Sequence, residues 1–162
     1  VGVDGSLAGL RALRLAVAEA RRRGAPLYAV RTWNFNPGWG AWGASPQAWL
    51  DDFEAEAVQV ITRAFDEAMG GPPPDLLVGA VIVRGAPGQV LVELANRDDD
   101  VLFVGAQRRR GLRARLHHCV ARFCAAHALC PVVIVPADAF ARLACQEGLG
   151  RAVRRELPIL SG

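Results

Sequence analysis

Apolar and polar positions alternate in blocks along this chain. Val1 to Asp4 reads as the end of a buried strand. Leu7, Leu10, Leu13 and Val17 then recur at helical spacing, with Arg11, Arg14 and Arg21 outside. Ser6 is a fitting N-cap. Gly24 follows Arg21-Arg22-Arg23, whose charges suit a helix C-terminus. Pro26 to Thr32 is a second strand. Ser45-Pro46 opens a second helix, whose apolar stripe is Leu50, Phe53, Ala57, Ile61, Ala64 and Ala68. Gly70 to Pro74 breaks the chain, and Leu76 to Val83 is a third strand. Pro87 to Ala95 is a short helix. Asp98-Asp99-Asp100 turns into a fourth strand ending at Gly105, and a last helix leads to a fifth strand, Cys130 to Val135.

This βαβαβαβαβ order, with strands that are near-continuous apolar runs, predicts an α/β fold. The expected architecture is a doubly wound, five-stranded parallel sheet sandwiched by helices in three layers. Residues 1–136 make one domain. Residues 137–162 form a C-terminal extension, where Phe140, Leu143, Val153 and Leu157 hint at a helix interrupted by Gly148 and Gly150. The opening strand is expected to begin upstream of Val1, and a targeting segment there stays open.

Composition narrows the function classes. With 162 residues, 52% hydrophobic and 22% charged, the chain should be globular. No apolar run is long enough to span a membrane, and no signal peptide is seen, so a cytoplasmic location is expected. All 19 basic residues are arginine, and the net charge of +3 is too small to argue for nucleic acid. His117, His118, Cys119, Cys124, His127 and Cys130 lack the paired spacing of a zinc site, so no metal is expected. Cys124 and Phe123 are expected to pack on the sheet. Cys119, at a helix start beside arginines, is the one thiol with a reason for a lowered pKa. No nucleophile, base and orienting group stand together, so no catalytic residue is assigned. Trp33, Trp39 and Trp42 stud the glycine-rich segment 33–45, which reads as a lid or an interface for a protein partner of unknown identity.

Four stretches, in this order, resemble the universal stress protein family over roughly Val1 to Pro136. They are Val1-Gly2-Val3-Asp4-Gly5-Ser6, Val83-Arg84-Gly85-Ala86-Pro87, Leu102-Phe103-Val104-Gly105 and Cys130-Pro131-Val132-Val133-Ile134-Val135. The resemblance implies a stress-response regulatory module and a homodimer joined along the last strand. ATP-binding relatives carry Gly, two residues, Gly, nine residues, Gly, then Ser or Thr after the fourth strand. From Gly105 that spacing lands on Arg108, His118 and Cys119, so only the first position matches. By resemblance, Asp4 would contact the base, and the strand holding Val30 would offer backbone contacts.

Glycines in such a loop let N–H groups approach a phosphate. Arg108 and His118 fill that space instead, while Cys119 is close to serine in size. Arg108, Arg109, Arg110, Arg113 and Arg115 nevertheless place five cations within eight residues, and guanidinium groups bind phosphate bidentately. The expected function is therefore a dimeric regulatory module with a degenerate ATP signature and altered or lost nucleotide binding. The alternatives are an adenine-nucleotide switch using an arginine phosphate loop, with ATP as its ligand, or a slow ATP hydrolase. The nucleotide-site residues, if the site is retained, are Asp4, Val30, Gly105, Arg108, His118 and Cys119.

Overall fold

The computed structural model describes residues 1–33, 46–106 and 112–137, and of 46–52 and 112–119 the backbone alone. The elements are α1 (Leu7–Arg23), β1 (Leu27–Trp33), α2 (Pro46–Met69), β2 (Val78–Arg84), α3 (Pro87–Leu94), β3 (Leu102–Ala106), α4 (Leu112–His127) and β4 (Val132–Pro136). β1 pairs with β2 in parallel, from Leu27 opposite Val78 to Trp33 opposite Arg84. β3 pairs with β4 in parallel, from Leu102 opposite Val132 to Ala106 opposite Pro136.

The first expected strand is reduced to a segment with one bridge, Gly2 to Val30. It still ties the two strand pairs together. Gly2 N–H donates to Phe103 O at 3.0 Å, Val3 N–H to Val30 O at 2.9 Å, and Val30 N–H to Val1 O at 2.8 Å. Among the described residues these bonds stop at Val3, and Asp4 is drawn into the cap of α1.

The period-two alternation of the strands sorts their side chains between two clusters. Leu27, Ala29, Phe103 and Val135 pack with Leu10, Leu13 and Val17 of α1 and Ile61, Ala64 and Phe65 of α2. Val30, Leu102 and Val104 pack instead with Val90 and Leu91 of α3 and Ala121 and Cys124 of α4. Helices thus cover both faces of the strands.

Local signals explain the helix ends. Ser6 Oγ accepts from Gly9 N–H, and α1 ends at Gly24 with φ of 63°, a left-handed angle that costs glycine little. One sequence expectation needs correction here. Leu7, the first residue of α1, is 72% exposed rather than part of the buried stripe. Arg11 and Arg14 lie outside the stripe as expected, and each meets a distant carbonyl. Arg11 donates to Pro136 O and Ala137 O, and Arg14 to Ala68 O and Glu67 O at the end of α2. A guanidinium can bury its stem and still satisfy helix-end carbonyls. Among the described residues no helix is long and apolar enough to cross a membrane.

Candidate functional site

The site begins with a local rule. A short acceptor placed before a helix competes for the backbone N–H groups of its first turn. Asp4 Oδ1 accepts from Ser6 N–H at 3.0 Å and from Ser6 Oγ–H at 2.6 Å, and Ser6 Oγ accepts from Gly9 N–H at 3.0 Å. Gly9 has to be small, since a Cβ there would collide with Asp4 Oδ1. The exposed carboxylate is therefore held on one oxygen, and Oδ2 has no partner among the described residues.

Gly105 serves close packing. A Cβ on it would lie 2.5 Å from Gly9 N and 2.7 Å from Ala8 C, so its missing side chain lets β3 touch the first turn of α1. That contact brings the end of β3 beside Asp4. Where the bonds of Val1–Val3 stop there is a cavity of about 190 Å³. Asp4, Val30, Thr32, Gly105, Pro87 and Leu91 are among its lining residues. This is the carboxyl-end crevice in which open α/β sheets bind ligands.

The structure thus gathers Asp4, Val30 and Gly105 around one space. Arg108 lies outside the described residues, as do the side chains of His118 and Cys119. Segment 34–45 and the extension from 138 also lie outside them, and with them the readings of the tryptophans and of the tail. What is described of the surroundings is that β3 ends at Ala106 and α4 begins at Leu112, so the arginine segment leaves from the strand bordering the cavity. Among the described residues no group of three or more metal-ligating side chains occurs.

Sequence reasoning missed two neighbours. Arg31 lines the cavity and donates through Nη1 to Val3 O at 3.4 Å. It was visible as a lone charge inside an apolar strand. Thr32 lines the cavity as well, for which sequence carries no signal. Nearby, Trp33 stacks on Phe53 with centroids 5.8 Å apart, and the Arg84 guanidinium stands 5.8 Å from the Trp33 centroid. Cys124 is fully buried, and burial pushes its thiol, and that of Cys130, above the usual range. Phe123 lies against Gly88 of α3.

The universal stress protein family model matches residues 1–136. The chain belongs to the universal stress protein family. Solved structures agree on the fold. A universal stress protein crystallised with cAMP is 27% identical, with a TM-score of 0.59, covering 85% of this chain and 95% of that one. UspA from Lactobacillus plantarum is 21% identical, with a TM-score of 0.60, covering 83% and 94%. A universal stress protein family member from Burkholderia pseudomallei is 22% identical, with a TM-score of 0.55, covering 84% and 92%. For this universal stress protein the last two likenesses speak to the fold alone.

Proposed function

We propose that this chain is a stress-response regulatory module that keeps the base-holding half of an adenine-nucleotide site and has altered the triphosphate-holding half. The observation that carries this reading is the single cavity shared by Asp4, Val30 and Gly105. Its 190 Å³ suits a base and part of a sugar, and is below the roughly 300 Å³ at which pockets for drug-sized ligands begin. The relative crystallised with cAMP holds a compact adenine nucleotide. In this chain Arg108, His118 and Cys119 stand where a glycine signature would cradle a triphosphate. A carboxylate with one free oxygen can accept an exocyclic amine, and the backbone beside Val30 can complete the edge. Val1–Val3 then acts as the middle strand of a five-stranded sheet, in the order β2, β1, Val1–Val3, β3, β4.

Thermal unfolding with AMP, cAMP and magnesium-ATP tests the reading. A ligand present at 100-fold over its Kd stabilises the fold by about 2.7 kcal/mol. In a domain of this size that raises Tm by about 5–10 °C. The expected result is equal shifts with AMP and ATP, lost in Asp4→Ala. A shift confined to ATP would mean that the arginine segment captures phosphate and would favour the switch. No shift with any nucleotide would sink the nucleotide reading and leave an interaction module.

The regulatory unit is a homodimer joined along β4. Among the described residues β4 pairs only with β3, and Ile134 is 40% exposed. An open strand edge needs a cover. Leu102 N–H donates to Pro131 O and Ala137 N–H to Ala106 O, so the odd positions of β4 serve β3 and Ile134 N–H faces outward. Ile134→Pro should leave the β3 ladder intact and give a monomer in sedimentation. A dimer that survives this substitution is joined elsewhere.

A further inference from the structure

We infer that Arg31 is a positioning residue of the cavity: by holding the Val3 carbonyl, it keeps the Thr32 backbone N–H free to meet a ligand. In a parallel pair, alternate residues of a strand bond to alternate neighbours. Leu27 N–H donates to Leu77 O and Gly85 N–H to Trp33 O, which assigns positions 27, 29, 31 and 33 of β1 to β2. Positions 28, 30 and 32 therefore face the opening segment. Val30 uses both its groups there, donating to Val1 O and accepting from Val3 N–H.

The next rung of that ladder would be Thr32 N–H to Val3 O. It is not made among the described residues. Val3 O instead accepts from Arg31 Nη1 at 3.4 Å. Arg31 is half-buried and forms no ion pair among the described residues, so its charge is directed at this carbonyl and not spent on a carboxylate. The guanidinium thus competes with Thr32 N–H for the acceptor that would zip the crevice shut by one residue. Thr32 N–H is left unmatched among the described residues, and Thr32 lines the same 190 Å³ space as Asp4. A partly buried backbone donor left without a partner is costly, and a ligand acceptor relieves that cost. A purine edge that presents a ring nitrogen beside an amine answers Thr32 N–H and Asp4 together. This ligand class rests on the nucleotide reading above, while the ladder argument does not.

The test uses the full chain with Arg31→Met and Arg31→Lys, read by NMR without ligand and by AMP titration. In the native chain no scalar coupling should cross from Thr32 N to the Val3 carbonyl, and the Thr32 amide should exchange fast. In Arg31→Met the coupling should appear and the amide should exchange at least tenfold more slowly. The AMP Kd should rise about tenfold, the effect of about 1.4 kcal/mol. Arg31→Lys, which can still reach a carbonyl, should restore the native pattern. A coupling already present in the native chain, or a Thr32 amide equally exposed in Arg31→Met, overturns the inference. If AMP does not bind the native chain, the proposed function fails, and the coupling and exchange results still decide the role of Arg31. Should Arg31→Met not fold, Arg31→Leu, which also lacks a donor, carries the same measurements.

Discussion

The two faces of the strands are held in different ways. On the α1–α2 face, apolar packing around the fully buried Leu13 is backed by guanidinium clamps. Arg14 grips the last carbonyls of α2, Arg11 grips the end of β4, and Arg21 pairs bidentately with Asp75 at 2.7 and 2.8 Å. On the α3–α4 face, Cys124 Sγ reaching Gly88 O at 3.9 Å is the only hydrogen bond between these two helices among the described residues. The rest is close packing, with Phe123 over Gly88. The cavity borders this second face, lined by Pro87, Leu91 and Val120. One face spends its polar groups on holding the scaffold together. The other face relies on close packing beside the cavity.

The largest way to break this comparison is Leu13→Ala. It opens a cavity in the clamped face and should cost about 3–4 kcal/mol in denaturant unfolding. Cys124→Ala on the other face should cost about 1 kcal/mol, since less volume is lost. Equal losses would mean that the two faces carry the fold alike. Gly105→Ala should come next, at about 2 kcal/mol, because its Cβ would meet the backbone of Gly9 and push α1 from β3. A neutral result would remove the contact that brings Asp4 to the crevice. Ser6→Ala should cost about 1 kcal/mol as a lost N-cap and should leave Asp4 Oδ1 held by the residue-6 backbone N–H alone. Its sharper signature is a weaker AMP affinity alongside the stability loss.

The smallest effect concerns pH. Arg22 and Arg23 hold the Glu19 carboxyl down, from the ordinary 4.5 to about 2. A depressed carboxylate stabilises the fold above its unfolded pKa and loses that contribution as pH falls through the folded one. The native chain should therefore exceed Glu19→Gln in stability by a constant amount above about pH 5. That margin should shrink between pH 4.5 and 2. A margin flat down to pH 2 would show that this exposed triad does nothing for the fold.

Much of the scaffold could be read from residue types in order. Ser6 and Gly24 bound α1 as their chemistry requires, and the stripe Ala57, Ile61, Ala64 and Ala68 is buried along α2. Leu7 was misread because periodicity records a helix face and not which of its turns is covered. Arg11 and Arg14 were rightly placed outside the stripe, but a charge at an outer position says nothing about which distant carbonyl it will meet. In the candidate site, Asp4 and Gly105 stood out as an acid and a glycine at strand ends. The reason for Gly105 was not legible, since it depends on the backbone of Gly9, far away in the chain.

Local patterns alone determined the α/β order of elements and the caps, because each rests on neighbouring residues, and the family resemblance added the departure of Arg108, His118 and Cys119 from a glycine signature. Only the tertiary structure decided that the bonds of Val1–Val3 end at Asp4, that Arg31 takes the Val3 carbonyl, and that Asp4, Val30 and Gly105 share one cavity. Those outcomes are set by which backbone groups are left over once strands distant in sequence have paired, and no local pattern counts them.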